Sequence, residues 1–174
     1  MGYFYHEGKN GYDVDYQKAF KCVLLAAEKG LPSAQWKVAN LYYEGDGTGK
    51  IFEECKRWIF IAANNDSDSA QYTLATWYET CELLSKNVQE AIRWYEKSAN
   101  NENVDAQFAL GSIYYQGEIV PKNYNLAVQW FSKAAQQEDE YSILSLGDCY
   151  LFGLGISKDP KRAGFVRKFT FRYT

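Results

Sequence analysis

"AIRWYEKSAN", residues 91–100, decides the fold, because it recurs along the chain at an interval of 36 residues. "CKRWIFIAAN" (55–64) and "AVQWFSKAAQ" (127–136) are copies of it, and they place Trp58, Trp94 and Trp130 in one column. Ala62 with Ala63, Ser98 with Ala99, and Ala134 with Ala135 form a second. An earlier copy, "AFKCVLLAAE", starts at Ala19 and puts Cys22 in the tryptophan position. A second series keeps the same register: "AQWKVANLYYEG" from Ala34, "AQYTLATWYETC" from Ala70, "AQFALGSIYYQG" from Ala106 and "SILSLGDCYLFG" from Ser142. Tyr42, Tyr78, Tyr114 and Tyr150 are the same in every copy, and Gly45, Gly117 and Gly153 close the segment, with Cys81 as the exception.

Both series read as helices. Ala91, Trp94, Tyr95, Ser98 and Ala99 fall at i, i+3, i+4, i+7 and i+8, one stripe of a 3.6-residue period. Glycine at the end of each second-series copy suits the left-handed residue that terminates a helix. Asp15, Asn87, Asn123 and Asp159 stand where a short polar side chain accepts a hydrogen bond from first-turn amides, and Pro160 suits the first turn after Asp159. Ile51 breaks that column, so the helix after Gly49 is expected to start less cleanly.

Two helices of about a dozen residues every 36 residues describe an all-α array of stacked antiparallel helix pairs, since one hairpin cannot bury its own apolar face. Helix pairs are expected to begin near 33, 69, 105 and 141, within a single domain spanning 1–174. A partial first helix at 1–8 precedes them, and a basic terminal helix at 159–174 follows. Small side chains at the paired positions and at Gly111 let helices approach closely. The tryptophan and tyrosine columns fill the gaps between repeats, which predicts largely buried Trp58, Trp94 and Trp130 rather than a ligand platform.

These residues, above all "LGSIYYQGEIVPKNYNLAVQWFSKAA" at 110–135, resemble the Sel1-like repeat family, a relative of the tetratricopeptide repeats. The resemblance covers nearly the whole chain in at least four copies. It implies a right-handed α-solenoid and a role as an adaptor that holds other proteins together. It brings no catalytic motif onto these positions.

Composition narrows the partner classes. A net charge of −3 and a pI near 5.3 argue against a nucleic-acid binder, which needs a basic face to displace counterions from phosphates. There is no run of eighteen apolar residues to insert in a membrane, and "MGYFYHEGKN" lacks the regions of a signal peptide, so a cytoplasmic location is expected. Met1 and Gly2 align with Leu110 and Gly111, inside a helix, which reads either as a truncated N-terminus or as a cap. Cys22, Cys55, Cys81 and Cys149 have no metal-ligand spacing, and His6 is the one histidine, so no metal and no cofactor are expected. The cysteines read as small buried hydrophobes. "GDGTGK" (45–50) fails the phosphate-loop spacing, with Glu44 where glycine is needed and Ile51 where a hydroxyl is needed. It reads as a turn.

Function is sought where the repeat does not dictate the residue. In the second-series helices the variable columns supply Lys37, Asn40, Tyr43 and Glu44; Thr73, Thr76, Glu79 and Thr80; Ser112, Tyr115 and Gln116; and Asp148 with Leu151. Spacings of three and four put much of this set on a face away from Val38 and Tyr42. If these helices line the concave side, as in related solenoids, the set forms a groove with a polar floor and aromatic rims for a protein or peptide partner. The other reading is an ordinary solvated face. The leading expectation is a non-catalytic interaction module. The alternatives are a dedicated inhibitor or immunity protein for one toxin or enzyme and, from the resemblance alone, the β-lactam binding or hydrolysis linked to cysteine-rich members. Those members carry paired cysteines in each repeat, whereas here the cysteines are scattered, and Ser132 is followed at once by Lys133 instead of forming Ser-x-x-Lys. The tail from Lys158 to Thr174 carries six basic residues against one acid, Asp159. It offers a route to docking in cis or to self-association in trans, beside the plainer reading of a polar cap.

Overall fold

A computed structural model describes residues 15–164, and helices occupy most of them, with no strand among the described residues. Eight helices of 13 residues each follow one another: α1 (Tyr16–Glu28), α2 (Pro32–Glu44), α3 (Phe52–Asn64), α4 (Asp68–Thr80), α5 (Val88–Asn100), α6 (Val104–Gln116), α7 (Tyr124–Gln136) and α8 (Glu140–Phe152). A further helix opens at Pro160. The expected half-helix at 1–8, His6 and the tail beyond 164 lie outside the described residues.

Local chemistry sets the ends of these helices. The side chains of Asp15, Asn87, Asn123 and Asp159 accept from the backbone N–H groups of Lys18, Glu90, Leu126 and Arg162 at 3.0, 3.2, 3.1 and 3.0 Å. Each satisfies an amide that the first turn leaves without a helical partner. Ile51 provides no such bond, and α3 relies instead on Glu53 and Glu54 in its first turn, where negative charge meets the positive end of the helix dipole. A second capping column, unremarked in the sequence, starts the other series: Ser67, Asn103 and Asp139 accept from Ala70, Ala106 and Ser142. Gly45, Gly117 and Gly153 end their helices with φ between 70° and 85°, and Cys81 adopts the same left-handed conformation at φ 62°. Between the tyrosine and the next helix the main chain repeats one contact. The N–H groups of Ile51, Asn87, Asn123 and Asp159 donate to the carbonyls of Tyr42, Tyr78, Tyr114 and Tyr150 at 2.8–3.0 Å.

Two compact units divide the chain, one ending at Trp94 and the other beginning at Tyr95. In unit one, α1, α2, α3 and α4 pack consecutively, and α2 also touches α4. Its core holds Val38, Leu41, Ile59, Leu74 and Trp77. In unit two, α6, α7 and α8 pack in the same way, with α6 also touching α8, around Leu110, Ile113, Phe131, Leu146 and Cys149.

The tryptophan expectation needs correction. Trp58 and Trp94 are buried, but Trp130 is only half-buried, and the Lys133 ammonium lies 4.1 Å from its ring centroid. The following residues, Ile59, Tyr95 and Phe131, are the more deeply buried column. One residue further along a helix turns the side chain by about 100°. The tryptophans therefore stand at the edge of the buried stripe, where coverage varies from copy to copy.

A ladder of buried glutamines recurs in the sequence, each rung bonded within its own unit. Gln35, Gln71 and Gln107, 36 residues apart, are buried, and each donates from Nε2 to the carbonyl eight residues earlier: Ala27 at 3.2 Å, Ala63 at 3.0 Å and Ala99 at 3.1 Å. Gln35 Oε1 accepts from Asn65 at 2.9 Å, and Gln107 Oε1 accepts from Gln137 at 3.0 Å. The buried amides are thus satisfied by the ends of the first-series helices, the condition under which polar groups are tolerated inside.

Candidate functional site

The thirteen variable positions fall into a set in each unit. In unit one, Lys37, Asn40, Tyr43 and Glu44 on α2 lie beside Thr73, Thr76, Glu79 and Thr80 on α4, and the Trp36 indole N–H donating to Thr73 Oγ1 at 3.3 Å joins the two helices. In unit two, Ser112, Tyr115 and Gln116 on α6 lie beside Asp148 and Leu151 on α8. All thirteen are half-buried except Glu44, Thr80 and Gln116, which are exposed.

Much of the polar chemistry on this face is turned inward. The hydroxyls of Thr73, Thr76 and Thr80 donate to the carbonyls of Ser69, Thr73 and Thr76, each at 2.8 Å, so their protons are engaged along α4 itself. Their oxygens remain acceptors for a ligand donor. Tyr43 packs edge-on against Phe52 with centroids 5.8 Å apart, and its hydroxyl donates to Glu82 Oε1 at 2.5 Å. That carboxylate raises the Tyr43 phenol above its ordinary pKa. Tyr115, in the same column, lies 5.5 Å from Tyr124 and 6.2 Å from Phe131, and burial first, then the neighbouring Cys149 and Asp148, raise its phenol too. Both expected rim aromatics therefore brace the next first-series helix as well as lining the face.

Burial pushes the Cys55 and Cys149 thiols up to about 11, which keeps them protonated and poorly nucleophilic at neutral pH. Cys55 and Cys149 are the buried hydrophobes expected of them, whereas Cys22 is half-buried and Cys81 is exposed. Cys81 departs because it occupies the helix-terminating turn, which faces solvent. The "GDGTGK" segment is a turn, held by Asp46 N–H to the Leu41 carbonyl and Ile51 N–H to the Tyr42 carbonyl. Gly47 approaches the Tyr16 carbonyl so closely that an added Cβ would lie 2.0 Å from it. Among the described residues no three His, Cys, Asp or Glu side chains gather as a metal site, and no helix is long and apolar enough to cross a membrane. A polar cavity of about 340 Å³ in unit two is lined by Gln107, Gln137, Glu102 and Lys133, and its two glutamines belong to the ladder already described.

The sequence reading passed over the glutamine column, although "AQ" heads three of the four copies and is its visible sign. It also passed over Tyr141, the largest exposed apolar side chain on α8, which stands where the earlier copies carry Ser33, Ser69 and Asp105.

The family model for the Sel1 repeat matches residues 1–31, 32–67, 68–103, 104–139 and 141–164. Among solved structures, the chain is similar to a protective antigen present in uropathogenic Escherichia coli strains displaying an SLR fold, at 32% identity and a TM-score of 0.87 over 96% of this chain and 36% of that one. It is also similar to a Sel1 repeat protein from Oxalobacter formigenes, at 33% identity and a TM-score of 0.88 over 98% of this chain and 69% of that one. The chain thus spans about a third of the length of the Escherichia coli antigen. An immunity protein from Pseudomonas aeruginosa aligns at 15% identity with a TM-score of 0.44, too distant to carry an argument. No curated protein matches the chain.

Proposed function

Because the chain belongs to the Sel1 repeat family, we propose that it is a non-catalytic interaction module that holds a protein or peptide partner against its second-series helices. Repeats of this family are generally protein-interaction modules. The observation that carries the finer reading is the contrast between columns. The buried positions repeat in kind, as in Val38, Leu74, Leu110 and Leu146, while the half-buried set Lys37, Asn40, Thr73, Thr76, Ser112 and Asp148 changes from copy to copy. Packing dictates the first group and leaves the second open for a ligand, the usual arrangement in stacked repeats.

The test is affinity capture from the native host's lysate with mass spectrometry, comparing the wild type with the charge-reversed variant Lys37→Glu, Glu79→Lys, Asp148→Lys. One stoichiometric partner lost by the variant, at unchanged helicity, is the expected result. An unchanged list of partners at unchanged helicity refutes this face. The same preparation is expected to leave nitrocefin unhydrolysed, and turnover would overturn the non-catalytic reading.

A further inference from the structure

The cavity of about 340 Å³ in unit two stands at the small end of ligand sites, which run from about 300 to 1,000 Å³. Its floor is one side-chain amide. Gln107 is only 3% exposed; its Nε2 donates to the Ala99 carbonyl at 3.1 Å, and its Oε1 accepts from Gln137 at 3.0 Å. Ala99 and Gln137 also line the cavity, so both ends of the amide are fixed against its wall. A primary amide carries two N–H donors, and among the described residues only one of these two finds an acceptor. The preceding rung of the ladder spends both. Gln71 Nε2 donates to the Ala63 carbonyl at 3.0 Å and to Asp66 Oδ1 at 3.5 Å, whereas the carboxylate of Glu102, in the column of Asp66, accepts nothing from Gln107.

Two opposite charges stand at this cavity without pairing. Lys133 and Glu102 both line it and are open to solvent, and neither makes an ion pair among the described residues. The Lys133 ammonium lies over the Trp130 ring instead, a contact that holds the cation in place and leaves it N–H donors for an oxygen. The fold requires neither charge. Two repeats earlier Gln35 keeps the same spare N–H, and the positions of Lys133 and Glu102 are held by Ile61 and Gly30. Packing at this crossing therefore tolerates the spare donor, and the two charges are an addition to it.

We infer that this cavity binds a small zwitterion, of the size of an amino acid or a dipeptide. The ligand's carboxylate takes the spare Gln107 N–H and the Lys133 ammonium, and its ammonium group takes the Glu102 carboxylate. A simple anion would meet Glu102 as a like charge, and a simple cation would meet Lys133, so a ligand bearing both signs is the one that answers both walls. Exposed ion pairs alone contribute little. The buried Gln107 N–H, which has no second protein acceptor among the described residues, is the part of the site that selects a carboxylate oxygen. None of these residues belongs to the set named for the proposed function, so this inference does not depend on that reading.

The probes are L-alanine, L-alanyl-L-alanine, N-acetyl-L-alanine and L-alaninamide, each titrated into the ¹⁵N-labelled protein with the Gln107 side-chain amide as reporter. Saturable shifts of that resonance by alanine or its dipeptide are expected, with binding of the acetylated and amidated forms at least tenfold weaker. The tighter of the two zwitterions gives the size of the ligand. Lys133→Ile and Glu102→Gly copy unit one, and each is expected to weaken binding at least tenfold at unchanged helicity. The main-chain carbonyl of residue 102, to which Gln137 donates, is kept in the second variant. A Gln107 amide that no probe moves overturns the inference. So does equal binding of the capped forms, or wild-type affinity in both variants. If either variant loses helicity, Lys133→Gln or Glu102→Gln decides in its place.

Discussion

Unit one seats Ala39 and Ile59, both fully buried, at the register where unit two seats Gly111 and Phe131. Gly111 is needed there because an added Cβ would come within 2.5 Å of the Phe131 ring. The difference teaches that these two crossings keep a similar summed volume while keeping neither residue, as close-packed interiors allow. A second pair makes the same point with hydrogen bonds. Asn65 supports Gln35 in unit one, while the longer Gln137 supports Gln107 in unit two and also donates to the Glu102 carbonyl at 3.0 Å.

The volume comparison breaks most visibly at Phe131. Phe131→Ala is expected to destabilise the protein by about 3–5 kcal/mol in urea denaturation, and Gly111→Ala by about 1–3 kcal/mol through overpacking. The pair Gly111→Ala, Phe131→Ile, which copies unit one, is expected to recover most of the loss. Failure to recover would show that the two positions are not coupled. Next comes the ladder: Gln35→Leu and Gln107→Leu each remove the hydrogen bonds of a buried amide, leaving the Ala27 and Ala99 carbonyls only their main-chain donors at Gly30 and Glu102, and are expected to cost about 1–3 kcal/mol. The change at Gln107 should cost less, since Gln137 keeps its bond to Glu102, and hydrogen exchange in each unit would report the ranking.

Among the described residues, Trp58 Nε1 in the first unit and Ser142 Oγ in the second are buried polar atoms without a hydrogen-bond partner. Ser142 occupies a column that elsewhere holds Ala70 and Ala106, so Ser142→Ala is expected to stabilise by about 1 kcal/mol, read as a raised urea midpoint at unchanged slope. A lower midpoint would reveal a hidden partner for the hydroxyl. The smallest effect is at the helix ends. Cys81 adopts the left-handed conformation that Gly117 adopts in unit two, so Cys81→Gly is expected to add up to about 1 kcal/mol, visible as a small rise in Tm.

The helices, the caps at Asp15, Asn87, Asn123 and Asp159, and the terminators at Gly45, Gly117 and Gly153 were legible because each rests on chemistry within one turn of chain. What lay hidden depends on neighbours distant in sequence. The glutamine column reads as solvated surface until Ala27, Ala63 and Ala99 present carbonyls to it, and Trp130 reads as core until packing shows it at the edge of the stripe. The candidate face was legible as a set of variable columns. Its threonine protons were not, because whether a hydroxyl turns back onto its own helix is a matter of rotamer, which spacing does not record.

The main-chain contact between each tyrosine carbonyl and the amide that opens the next helix bears on how such a protein changes over generations. The bend between the paired helices is held by main-chain atoms that every residue but proline carries, so a substitution in the variable columns leaves those atoms in place. The variable columns can therefore change by single steps, while the angle at which the helices present their side chains stays inherited.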